Sequence, residues 1–181
     1  MELTEYHRLR AAVCDSGYAS DIEWSQTVAK PDDADAFVRE YIFVVCNSGM
    51  KAQIARGIYV KVMGALDAGL HPETVFGHTG KAAAIWEVWS ARDAWFERFE
   101  ASDDQIAFLE TMPWIGSITK WHLAKNYGVD VAKPDRHLVR VAERFDTTPQ
   151  ALCERLARES GDRISTVDTV IWRACNLGIL Q

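Results

Sequence analysis

Met112-Pro113-Trp114-Ile115-Gly116-Ser117-Ile118-Thr119 is the stretch on which the reading of this 181-residue chain turns. A proline that fixes one backbone angle opens it and a glycine comes soon after, so the chain must reverse tightly here. The flanks are helical in pattern. Ser102-Asp103-Asp104-Gln105 has N-cap and acidic first-turn character and opens a helix to about Glu110. Thr119 to Tyr127 is a second helix, closed by Gly128, the residue type favoured just past a helix end. Gly116 would let the backbone approach a phosphate, and the N–H groups of Ser117, Ile118 and Thr119 at a helix start can hold an anion. A helical turn that merely packs accounts for the same residues, and spacing alone does not separate the two.

Helical periodicity continues outward in both directions. A helix near Glu5 to Ser16 is followed by an expected loop from Gly17 to Pro31 that carries Trp24. Asp32-Asp33 starts a helix through Phe37, Tyr41, Val44 and Val45, stopped by Asn47-Ser48-Gly49. The run Ile42 to Cys46 has strand-like composition, but its continuity with Phe37 and Tyr41 at helical spacing favours a buried helix. Lys51 to Leu66 is expected to bury Ile54, Ile58, Val62 and Leu66 on one face. A short helix follows Pro72, and Gly77-His78-Thr79-Gly80 breaks into another from Lys81 to about Trp89. Further helices are expected over Ala91–Phe99, Asp135–Phe145, Pro149–Ser160 and Asp168–Asn176. The expectation is an all-α fold of about ten short helices in two interlocking lobes, with 1–181 forming one compact unit.

Composition bounds the function. Hydrophobic residues make up 48% and charged residues 25%, an ordinary globular balance. No apolar stretch approaches the roughly 20 residues of a membrane span, and the charged N-terminus lacks a signal-peptide core. The expectation is a cytoplasmic monomer with no membrane partner. A net charge of −6 argues against a nonspecific nucleic-acid coat, since phosphate binding needs cations. The charge is uneven, however: Lys120 to Arg144 holds six Lys or Arg against three acids, which suits a focused anion site. Cys14, Cys46, Cys153 and Cys175 have no metal-ligand spacing, so no metal, no cofactor and no disulfide are expected.

The hairpin and the segment after it resemble the helix-hairpin-helix DNA glycosylase superfamily, the group of endonuclease III and the alkylpurine glycosylases. Met112 to Thr119 is similar to that family's Leu-Pro-Gly-Val/Ile-Gly hairpin, and Pro134-Asp135-Arg136-His137 to the segment that supplies its catalytic Asp. Asp135 follows Gly116 by 19 residues. Phe37 to Ser48 resembles the family's first core helix and Gly77 to Ala82 its glycine-lysine turn. The resemblance covers about residues 35–145, the implied core, with 1–34 and 146–181 completing the second lobe.

This resemblance implies that DNA is the partner and that Asp135 stabilises the oxocarbenium-like sugar as a base leaves. By its residues alone Asp135 is equally an N-cap, and the two roles are compatible. Pro113, Trp114, Ile115, Gly116, Ser117, Thr119, Lys133 and Arg136 are the implied DNA contacts. The turn Asn47-Ser48-Gly49-Met50-Lys51 is the implied wedge or pocket edge, although an ordinary interhelical turn would read the same. Lys120 and His137 are candidates for catalytic support, Lys120 being otherwise a phosphate contact or a solvated lysine. Trp86, Trp89 and Trp95 are expected in the core, and Trp121, Trp172 and Tyr41 are candidate pocket walls. Asp168 has no hairpin before it and reads as a cap or supporting acid.

Two departures from the family pattern bear on mechanism. Bifunctional members carry a Schiff-base lysine just before the hairpin Thr, where this chain has Ile118. Trp114 stands where the first hairpin glycine is usual, at a cost if that position needs positive φ. The resulting expectation is a monofunctional DNA glycosylase that flips a damaged or modified base and hydrolyses its N-glycosidic bond. Two alternatives stand beside it: group transfer onto an activated base, as in glycosylase-like phage proteins of thymine hypermodification, and a non-catalytic DNA-binding helical module.

Overall fold

The computed structural model describes residues 1–181, the side chain of Ala52 excepted, and is all-α, with no strand among the described residues. The helices are α1 (Leu3–Val13), α2 (Ala19–Thr27), α3 (Ala34–Asn47), α4 (Ala52–Asp67), α5 (Thr79–Ser90), α6 (Arg92–Glu100), α7 (Gln105–Glu110), α8 (Thr119–Asn126), α9 (Arg136–Glu143), α10 (Pro149–Ser160) and α11 (Ile164–Asn176). No described helix is long and apolar enough to cross a membrane. The chain divides into two compact units, one made of Pro31–Leu123 and the other of Met1–Lys30 with Ala124–Gln181. The second boundary falls inside α8.

In the unit from Pro31 to Leu123, α3 is the central helix, packed by α4, α5 and α6. It starts where Asp33 accepts a hydrogen bond from the Ala36 amide at 2.7 Å. Phe37, Val38, Tyr41, Ile42, Val44, Val45 and Cys46 are all buried along it, so the strand-like run is a buried helix, as its periodicity indicated. The inward face of α4 is offset from the expected one. Ala55, Val62, Met63, Ala65 and Leu66 are buried, whereas Ile54 is exposed. Gly80 does not break the chain but lies in the first turn of α5, which His78 caps. Trp86, Trp89 and Trp95 are only half-buried; the Arg92 and Arg39 guanidinium groups lie over the Trp89 ring, as cations do on an aromatic face at a core's rim.

The other unit is built on α11, against which α1, α2, α9 and α10 pack. The stretch expected as a loop from Gly17 to Pro31 contains α2. Gly17, at φ +89°, kinks the chain at a single residue, and nothing before Pro31 prevents the helix from resuming. The last helix also begins earlier than expected, at Ile164, so Asp168 lies inside it and is not its cap. All four cysteines are free thiols, and Cys46, Cys153 and Cys175 are buried.

Candidate active site

The hairpin is anchored from below. Tyr41 is fully buried on α3 and its hydroxyl donates to the Pro113 carbonyl at 2.8 Å, so it is a hairpin support and not a pocket wall. Met112 and Ile115 are buried on either side of Pro113, and the Ile115 amide donates to the Met112 carbonyl at 3.1 Å to close the turn. Trp114 takes the left-handed conformation, at φ +65°. The position therefore keeps the geometry that glycine usually supplies, at a cost of roughly 1 kcal/mol for a residue with a Cβ. Contact offsets part of this cost. The Trp114 ring meets His78 edge-on at 5.2 Å between centroids and lies over Gly80, where a Cβ would stand 3.0 Å from a ring carbon.

Gly116 shows the opposite relation. It does not need positive φ, and a Cβ there would meet only Thr119 Oγ1 at 3.9 Å. Nothing inside the chain demands glycine at this exposed position. Its amide donates to Thr119 Oγ1 at 2.7 Å, and its carbonyl accepts from the Lys120 amide at 3.0 Å, which starts α8. The next two residues, Ser117 and Ile118, are exposed, and their amides have no acceptor among the described residues. Lys120 is committed elsewhere: its ammonium pairs with Glu110 at the end of α7 and lies over the Trp121 ring.

The expected wedge, Asn47 to Lys51, turns through Gly49 at φ +72°. Lys81 holds it. This lysine is 4% exposed, and its ammonium donates to the Ser48 carbonyl at 2.6 Å, while burial pushes its pKa down. In the sequence Lys81 is legible only as part of a turn motif. Its supporting role is hidden there because a lysine normally reads as surface.

Asp135 caps α9. Its Oδ1 accepts from the amides of His137 and Leu138, at 2.9 and 3.1 Å. Its Oδ2 makes no hydrogen bond among the described residues and stands 3.9 Å from the Lys133 ammonium. Burial holds that ammonium below the ordinary lysine range, although Asp135 and Asp168 pull the other way. Arg136 is exposed. The His137 side chain does not hydrogen-bond Asp135; its Nδ1 is buried without a partner among the described residues.

The segment before Asp135 is not helical, so its amides need partners from outside it. Side chains supply them. The Ala132 amide donates to Gln150 Oε1 at 2.9 Å and the Lys133 amide to Asp168 Oδ2 at 2.8 Å, while Asp130 accepts from the Ser165 amide at 2.9 Å. Gly128 opens the segment at φ +74° in a place no side chain could enter, since a Cβ would stand 2.7 Å from the Ala29 carbonyl carbon. Asp168 is 2% exposed and also receives the Lys125 ammonium at 2.6 Å.

The all-α architecture is that of the helix-hairpin-helix DNA glycosylase fold. A solved structure of this class is similar over nearly the whole chain: the Methanocaldococcus jannaschii 8-oxoguanine glycosylase/lyase in complex with a 15mer DNA containing 8-oxoguanine. The TM-score is 0.66 at 17% sequence identity, covering 96% of this chain and 98% of that one. No family model and no curated protein matches the sequence.

Proposed function

We propose that the protein is a DNA base-processing enzyme that flips a damaged or modified base and hydrolyses its N-glycosidic bond, with Asp135 facing the sugar. The observation that carries this reading is the division of labour within one carboxylate. Oδ1 is fixed by two amides, and Oδ2 is left open beside a cation. A carboxylate held in place can stabilise the positive charge that develops on the sugar as the base departs, most strongly where water is excluded. Water then adds to C1′ and gives up a proton, and the base, which left with the bond electrons, takes one up. Ile118 carries no amine, so the reaction ends at an abasic site with the strand unbroken.

The amides of Ser117 and Ile118 at the start of α8 would receive a backbone phosphate, with Gly116 allowing its close approach. Pro113, Trp114, Ile115 and Thr119 would be further DNA contacts of the hairpin, and Lys133 and Arg136 would be DNA contacts beside Asp135. The Asn47–Lys51 turn, braced by Lys81, would enter the space left by the flipped base. Lys120, paired with Glu110, would contribute to the shape of the hairpin more than to phosphate contact.

The test is product identification on duplex and single-stranded oligonucleotides containing 8-oxoguanine, uracil, alkylated purines or hydroxymethyluracil. Free base with an intact abasic strand is the expected outcome. A gain of mass on one thymine-type base in the presence of an amine donor would instead establish group transfer. DNA binding with neither product, on every base offered, would favour the non-catalytic module.

A further inference from the structure

We infer that Asp168 is a positioning residue for Asp135, acting through the Lys133 peptide; the inference rests on the glycosylase reading of Asp135. Asp168 sits in the interior of α11, where a helix normally has no use for a carboxylate, and it is 2% exposed. Its Oδ2 receives two donors, the Lys125 ammonium at 2.6 Å and the Lys133 amide at 2.8 Å. Lys125 lies in the last turn of α8, the helix that the hairpin opens. The ammonium also approaches Thr169 Oγ1 at 3.4 Å. A buried ion pair contributes little net stability, because desolvation offsets the attraction. What this pair adds is an oxygen fixed at one point, and that point is the Lys133 amide.

From Lys133 the order passes directly to the site. The Lys133 carbonyl accepts from the Asp135 amide at 2.8 Å, closing a three-residue turn around Pro134. Pro134 has no N–H to donate and a fixed φ, so it transmits the direction it is given. Setting the Lys133 peptide therefore sets both Asp135, whose side chain caps α9, and the Lys133 side chain beside it. The path is Lys125, Asp168, Lys133, Asp135, and each link is a hydrogen bond.

Two double variants separate positioning from mere packing. Lys125→Met with Asp168→Asn removes both charges but keeps a side-chain oxygen for the Lys133 amide. Lys125→Met with Asp168→Leu removes the charges and the acceptor together. Both are expected to fold, since replacing a whole buried pair by neutral residues is often tolerated. Hydrogen exchange at Lys133, Asp135 and His137 should be at least 10-fold faster in the Leu variant than in the Asn variant, with the amides of α1 unchanged. Single-turnover base release should also fall at least 10-fold between the two, with DNA affinity within 2-fold. Equal exchange and equal rates in the two variants would overturn the inference. If wild-type protein released no base from any oligonucleotide, the glycosylase reading would fail, and the exchange comparison would still decide whether Asp168 places Asp135.

Discussion

Asp135 caps α9, and the proposed function gives it a second job that substitution can separate from the first. Asn caps a helix about as well as Asp does, so Asp135→Asn should keep stability within about 0.5 kcal/mol and bind DNA normally. The same change should cost at least about 100-fold in base release, because the charge proposed to face the sugar is gone. Asp135→Ala should lose both, with roughly 1 kcal/mol of stability in addition. Denaturant unfolding set beside single-turnover kinetics checks the pair. Cys46 offers a second test, of stability alone. Burial on α3 pushes its thiol from 9.0 up to about 11, against the pull of the Lys81 ammonium. The unfolded chain then releases this proton first, so the thiol's contribution is whole below pH 9 and is lost as pH rises through about 11. The stability difference between wild type and Cys46→Ala should shrink by about 2 kcal/mol across that window, read by denaturant unfolding at a series of pH values.

At the scale of elements, the hairpin is a rigid turn whose two unusual residues answer to different demands. Trp114 holds a left-handed backbone and rests on Gly80. Gly80→Ala should therefore gain about 0.5–1 kcal/mol of helix propensity in a Trp114→Ala background and lose that gain in wild type, a coupling that a double-mutant cycle measures. Gly116 meets no internal requirement, so Gly116→Ala should leave the melting temperature unchanged or slightly raised. DNA affinity should nevertheless fall several-fold, as titration against a labelled duplex would show, because the added Cβ would stand where the proposed function brings a phosphate close. The sequence made most of these elements legible, since their caps are local: Asp33, Asp104, Asp135 and Thr148 each accept from an amide two or three residues on. It misled where a local signal had a non-local outcome. Gly17 reads as the start of a loop but only kinks a helix, and Ile54 fits the apolar period of α4 although nothing covers it.

At the scale of the whole molecule, two helices organise the fold, α3 in one unit and α11 in the other. The first is plain in the sequence because every residue it buries, from Phe37 to Cys46, is apolar or aromatic. The second is half hidden because Ser165, Thr166, Asp168 and Thr169 are buried along it. Polar residues inside a helix read as surface until their partners are known, and those of Asp168, Lys125 and the Lys133 amide, lie 43 and 35 residues away. For the same reason the hairpin and Asp135 are legible as motifs, whereas what the supports Tyr41, Lys81 and Asp168 each hold is not. The motif residues are neighbours in sequence; the supports become neighbours only through folding. Everything proposed for the molecule as a whole depends on Asp135 driving loss of a base from DNA. Intact-mass spectrometry of single oligonucleotides decides this, after one turnover with wild-type protein and, in parallel, with Asp135→Asn. The expected result is a strand lighter by one base and otherwise unbroken with wild type, and an unchanged strand with the variant. Base loss that persists with Asp135→Asn would remove Asp135 from the chemistry and the proposed mechanism with it.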